Sequence, residues 1–213
     1  LYKKTGLLVK AGNDANVAAL GEMWQGGGKG HEDVVMITLG TGVGGGIIIG
    51  GRIVAGHHGA GGEIGHILMR EDETQTCGCG KKGHLEQYAS ATGIVRMAQE
   101  KLSGETRETK LNDIRPLTAK DIFDAAKEGD TVALELTDQL CGILATAMSS
   151  ISCVADPEIF VVGGGVSKAG AFLIEGIKKH FVEKAFHASE GTEIALATLG
   201  NDAGMYGCVR LLF

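Results

Sequence analysis

Two cysteines and two histidines are gathered between positions 66 and 84. They lie in Glu63-Ile64-Gly65-His66 and in the run Cys77-Gly78-Cys79-Gly80-Lys81-Lys82-Gly83-His84-Leu85-Glu86. Thiolate and imidazole are the donors that tetrahedral zinc prefers. Cys77 and Cys79 are one residue apart, His84 follows Cys79 by five, and His66 closes the set from the preceding segment. Glycines at 78, 80 and 83 let the backbone turn tightly around an ion. The competing reading is a surface loop with two free thiols. A bare Cys-x-Cys pair is a weak signal, whereas the added histidines and glycines favour metal. Residues 57 to 86 are therefore read as irregular structure shaped by an ion rather than as a helix or strand.

The rest of the composition sets bounds. The chain has 213 residues, 44% of them hydrophobic, which is enough to build a core in one or two domains. A net charge of −6 without a long basic stretch argues against nucleic acid as a direct partner of this segment. No apolar run is read as transmembrane, and no basic-then-apolar opening reads as a secretory signal. Of the five cysteines, two belong to the cluster. Cys141, Cys153 and Cys208 lie in apolar contexts and read as buried thiols in a reducing, cytoplasmic compartment. The 35 glycines, about twice the usual share, concentrate near 40–65 and 163–165, which marks tight loops rather than low complexity.

Periodicity predicts alternating elements. A short strand is expected at Val9 to Ala11, a helix over Asn16 to Trp24 and an apolar strand over Val34 to Leu39. Gly40-Thr41-Gly42-Val43-Gly44-Gly45 reads as a hairpin turn, followed by strands at Gly46 to Ile49 and Arg52 to Ala55, all antiparallel. Helices follow over Leu85 to Ala89 and Thr92 to Leu102. Thr118 with Asp121 forms a capping box for a third that runs to Lys127, and a long one spans Thr131 to Val154. Strands at Ile159 to Val162 and Glu193 to Ala197 alternate with helices at Gly170 to Phe186 and Asp202 to Leu211. This order predicts an α/β domain with a mixed sheet.

Three segments carry possible chemistry, and each has a plain structural alternative. The amides of Gly40 to Gly45 and the Thr41 hydroxyl can cradle phosphate, or they form a wide hairpin. Gly163-Gly164-Gly165-Val166-Ser167 joins a strand to a helix, where a nucleotide can approach the backbone, or it is an ordinary helix start. Asp14, in Asn13-Asp14-Ala15-Asn16, follows a predicted strand and opens a helix. That position suits a catalytic carboxylate, but taken alone it favours a helix N-cap.

Taken in order and spacing, Asn13 to Asn16, Leu39 to Gly46, Glu63 to His66 and Cys77 to Glu86 resemble the ROK family (repressor, open reading frame, kinase), and within it the bacterial glucokinases. The resemblance covers nearly the whole chain. It implies the actin-like, ribonuclease H-like sugar-kinase ATPase fold, with this segment as most of the C-terminal lobe. It implies ATP-dependent phosphorylation of a hexose such as glucose, with ATP and magnesium as co-substrate and a structural zinc. Asp14 would be the general base, and Asn13, Glu63, His66 and Glu86 would hydrogen-bond the sugar. Gly40, Thr41, Gly42 and Gly44 would contact phosphates, and Gly163, Gly164, Gly165 and Val166 would flank the adenosine. A homodimer or homotetramer is also implied. A sugar-sensing repressor of the same family is the alternative; an intact Asp14 favours the kinase, because a sensor needs no base.

Two departures stand out. The family's usual zinc set is one histidine and three cysteines, and His84 stands here at the third cysteine position. The phosphate-binding Asp-x-Gly-Gly-Thr loop that opens ROK kinases is missing. Leu1-Tyr2-Lys3-Lys4 reads as the tail of a helix, so the sequence is expected to be a segment without its N-terminal lobe and inactive alone.

Overall fold

Five strands form one sheet: β1 (Val34–Leu39), β2 (Val43–Ile49), β3 (Arg52–Ile53), β4 (Ile159–Gly163) and β5 (Glu193–Leu196). Their order is β3-β2-β1-β4-β5 in this computed structural model, which describes residues 2–213. β1, β2 and β3 pair antiparallel, whereas β4 runs parallel to both β1 and β5, so the sheet is mixed as expected. The expected helix tail appears as a short helix α1 (Tyr2–Thr5), with Leu1 outside the described residues.

Alternation along β1 divides the core. Val34 and Met36 face one side, where they join Ala19, Leu20 and Met23 of helix α2 (Asp14–Gln25). Val35, Ile37 and Leu39 face the other side and enter the larger core. That core is built by α3 (Glu86–Ala89), α4 (Ala91–Leu102), α5 (Ala119–Lys127), α6 (Thr131–Ala155) and α7 (Ala171–Lys184). The last helix, α8 (Ala203–Arg210), packs on α2. Thr118 and Asp121 form the reciprocal capping box expected at the start of α5.

The structure corrects several expectations. Val9 to Ala11 form no strand: Val9 is 44% exposed and the segment pairs with no described strand. The hairpin turn is shorter than predicted, because β2 already begins at Val43. Gly44, Gly45 and Gly46 lie within that strand, where neighbours leave no room for a side chain. A Cβ on Gly45 would come 2.5 Å from Ile64 Cγ1, and one on Gly46 would come 2.6 Å from Ala19 Cβ. The glycines thus mark close packing rather than a turn. Cys141 is buried, but Cys153 and Cys208 are exposed, since each falls on the solvent side of its helix. α6 is, among the described residues, long and apolar enough by length and composition to cross a membrane. In this fold Leu136, Leu140, Leu144 and Met148 are instead buried in the larger core.

Candidate functional site

The carboxyl ends of the parallel neighbours β1 and β4 open directly into the two glycine loops. Gly40 follows Leu39, and Gly163 ends β4 opposite Thr38. Ligands of open α/β sheets sit at this edge. Gly164 has φ +88°, a conformation that only glycine adopts without strain, and a Cβ there would lie 2.6 Å from the Leu39 amide nitrogen. The first loop is docked on the start of α4. The Ala91 amide donates to Gly40 O at 2.8 Å, and the Thr92 hydroxyl donates to Thr41 O at 2.7 Å. Beside the second loop lies a 320 Å³ cavity lined by Ala91, Phe123, Lys127, Gly165 and Val166 among others. Phe123 and Lys127 lie on α5, and no sequence signal marked their part in it. A separate cleft of 480 Å³ is bordered by Thr41 and Gly42 on one side and by Cys77, Gly78 and Glu86 on the other.

Asp14 is the first residue of α2 and is exposed. The N-cap is Asn13, whose Oδ1 accepts the amides of Ala15 at 2.9 Å and Asn16 at 3.2 Å. The cap reading of Asp14 therefore falls to its neighbour. Asp14 Oδ1 lies 2.9 Å from the Ala15 amide, which leaves its second oxygen for other partners. The cap uses Asn13 Oδ1 and not its amide NH2. The segment Gly62 to His66 joins the same region. A Cβ on Gly62 would stand 3.4 Å from Asn16 Oδ1, and Ile64 packs on β2 at Gly45. Glu63 and His66 are exposed there.

The four expected metal ligands converge. Their donor atoms all lie within 4.8 Å of one another. Cys77 and Cys79 Sγ are 3.5 Å apart, Cys79 Sγ is 3.2 Å from His84 Nδ1, and Cys77 Sγ is 3.9 Å from His66 Nδ1. A zinc tetrahedron with bonds of about 2.0–2.3 Å has edges of about 3.3–3.8 Å; the Cys77–Cys79 separation lies in that range, the His66 separation is wider, and the donor set of two thiols and two imidazoles suits the ion. The sulfurs are too far apart for a disulfide, and all five cysteines are free. His66 turns Nδ1 to the thiols, which leaves Nε2 for a second partner. Cys77 also donates to Glu86 Oε1 at 2.8 Å. Burial pushes the Cys77 thiol up to about 11, and the Glu86 carboxylate adds to the rise.

A polar cluster behind this loop gives no signal in the sequence. Glu73, Gln87, Tyr88 and Arg96 are linked by hydrogen bonds of 2.7–3.0 Å. They are spread over three segments and carry no motif spacing.

Comparison with known proteins gives a consistent result. The family model described as "ROK family" matches residues 1–212. A glucokinase of Halalkalibacterium halodurans is 47% identical over 212 residues, which are 97% of this chain and 64% of that protein. The chain thus spans just under two thirds of that relative's length. The crystal structure of a ROK family glucokinase from Streptomyces griseus, in complex with glucose and AMPPNP, superposes with a TM-score of 0.85. Its sequence identity is 36%, over 99% of this chain and 70% of that one. A ROK family transcriptional regulator, described as a homologue of the E. coli MLC protein, also superposes at 0.85. It is 29% identical, over 97% of this chain and 52% of that one.

Proposed function

This chain belongs to the ROK family, and we propose that it forms the sugar- and zinc-binding part of a hexose kinase that transfers the γ-phosphoryl group of ATP to glucose. The observation that carries this reading is Asp14: a carboxylate at the head of α2 that is exposed and not the helix cap. The 47% identity to a glucokinase points the same way.

In this mechanism a carboxylate oxygen of Asp14 takes the proton of the attacking sugar hydroxyl. The hydroxyl oxygen then bonds to the γ-phosphorus as the bond to the bridging oxygen breaks, and ADP leaves. Asn13, Glu63, His66 and Glu86 hold the remaining hydroxyls, each of which donates and accepts. Amides of Gly40, Gly42 and Gly44, with the Thr41 hydroxyl, face the phosphates of the magnesium nucleotide. The cavity beside Gly163 to Val166 receives the adenosine, with Phe123 as an apolar wall. His66, Cys77, Cys79 and His84 hold zinc, which fills a structural role because protein occupies all four positions.

The test is ADP release by the full-length protein with glucose, N-acetylmannosamine or fructose. Glucose should give the highest kcat/KM; no ADP with any hexose would overturn the reading. The likeness to a transcriptional regulator keeps a sugar sensor as the alternative, which the 47% identity to a glucokinase does not favour. Tight sugar binding without ADP formation would favour that one.

A further inference from the structure

The metal-binding loop is fastened to the protein at points other than its four ligands. Tyr88 is buried, and its hydroxyl donates to Glu73 Oε2 at 2.7 Å. Arg96 Nη2 donates to the same oxygen at 3.0 Å and to the Gln87 carbonyl at 3.0 Å. The Gln87 side chain works in the other direction. Its Nε2 donates to the Gln75 carbonyl at 3.0 Å, and its Oε1 accepts the His84 amide at 3.1 Å. The guanidinium carbons of Arg70 and Arg96 lie 5.0 and 5.2 Å from the Tyr88 ring centre. Glu73 and Gln75 lie just before Cys77, whereas His84 and Gln87 bracket Glu86. Both ends of the metal-binding segment are therefore tied to α3 and α4 by bonds that need no ion.

We propose that Glu73, Gln87 and Arg96 are positioning residues that form a metal-independent clasp, holding the base of the segment 70–84 against α3 and α4 and setting where Glu86 points. The Arg96 and Glu73 side chains are only 20% and 8% exposed, so water competes weakly for their charge-assisted bond. Gln87 is adjacent to Glu86, and its backbone carbonyl and both side-chain polar groups are engaged, so Glu86 starts from a fixed backbone. Zinc ligation secures the tip of the loop, and the clasp secures its base. The consequence for sugar binding rests on the hexose-kinase reading; the fastening does not.

The experiment is amide hydrogen exchange on the full-length protein, with zinc content and kinetics measured on the same samples. A zinc chelator should expose amides 77–83 while the Gln75 amide, which donates to Glu73 Oε1 at 2.9 Å, keeps its protection. Arg96→Met, which keeps the aliphatic stem, should do the reverse: exchange at the Gln75 amide rises about tenfold while zinc content stays at the wild-type level. In the same variant the KM for glucose should rise about tenfold with the KM for ATP unchanged, the size expected when an outer support is lost. Arg96→Lys should recover part of this, since an ammonium reaches Glu73 but cannot span to the Gln87 carbonyl as well. Should Arg96→Met fail to fold, Tyr88→Phe removes a single hydroxyl from the clasp and should shift exchange at the Gln75 amide in the same direction. Unchanged protection of the Gln75 amide in the folded variant would overturn the clasp, as would loss of that protection by chelation alone. Absence of sugar phosphorylation in the wild type would overturn only the kinase reading.

Discussion

Cys77 directs its thiol at Glu86, with Sγ and Oε1 2.8 Å apart. A cysteine that ligates zinc does so as thiolate and has no proton to donate. Metal loading would therefore convert Glu86 from the acceptor of a thiol into a carboxylate that needs a new donor. On the proposed function a sugar hydroxyl in the adjoining cleft would be such a donor, and Gly42 leaves room beside Glu86: a Cβ there would stand 2.7 Å from Oε2. The relationship joins the metal cluster to the substrate reading through one side chain.

The first prediction concerns the ion. Protein purified without chelator should contain about one zinc per chain, held by His66, Cys77, Cys79 and His84. Because two thiols must lose protons, zinc affinity should fall from pH 8 to pH 6, which a competitive chelator titration reads directly. Elemental analysis that finds no metal sinks the site, as does a Cys77–Cys79 disulfide.

Asp14 and Asn13 are neighbours with separable jobs. Asp14→Asn should lower turnover by roughly two to four orders of magnitude, with sugar affinity and melting temperature changed much less. Asn13→Ala removes two capping bonds from α2 and should cost about 1 kcal/mol of stability. Steady-state kinetics and thermal melts on the two variants decide the matter. Near-normal turnover in Asp14→Asn would refute the proposed mechanism.

What the sequence disclosed follows from how local each signal is. The capping box at Thr118 and Asp121, the apolar strand Val34 to Leu39 and the Cys–His cluster are patterns within a few residues, and all three appear as expected. Gly44 and Gly45 misled, because glycine serves turns and close packing alike; only Ala15 and Ile64, distant in sequence, reveal which. Asp14 and Asn13 both suit a cap, and the backbone bonds alone assign it to Asn13. The Glu73–Arg96 pair and the cavity beside Phe123 were invisible for the same reason: their members lie on segments that meet only after folding.

Packing around Gly45 gives a stability prediction. Gly45→Ala brings a methyl group to 2.5 Å from Ile64 Cγ1, inside any allowed contact. The expected cost is about 1–3 kcal/mol, read as a lower denaturant midpoint at constant slope. Shortening Ile64 to Val in the same background should recover part of the loss. A neutral Gly45→Ala would mean that the strand and the Ile64 turn are not in contact.

Acid stability should depend on Glu73. The Gln75 amide, the Tyr88 hydroxyl and Arg96 outweigh the opposing effect of burial and lower Glu73 from 4.5 to about 2. A carboxyl whose folded pKa is depressed stabilises the fold above its unfolded value and loses that contribution as pH falls towards the folded one. The window is therefore pH 4.5 down to about 2. The melting-temperature gap between wild type and Glu73→Gln should be full at pH 6 and should narrow steadily below pH 4.5. A gap that stays constant to pH 2.5 would mean that Glu73 is not held as a carboxylate by these partners.

The last prediction separates the two halves of the site. The loop that would hold zinc carries His66 and leads straight into Glu86, whereas both glycine loops leave the ends of β1 and β4 and are anchored by backbone contacts that do not involve the four candidate ligands. Cys79→Ser removes one ligand from an exposed position and touches neither glycine loop. In the full-length protein it should weaken glucose binding by about tenfold or more, the scale typical of losing a group that orients binding residues. Nucleotide affinity should change by less than about twofold, since the cavity beside Val166 depends on α5 and the turn after β4. Calorimetric titration of glucose and of a non-hydrolysable ATP analogue into verified metal-free variant measures both. Unchanged glucose affinity would break the link between metal and sugar. An equal loss of both affinities would show that removing the metal unfolds the lobe, and the division of labour between loop and sheet edge would have to be abandoned.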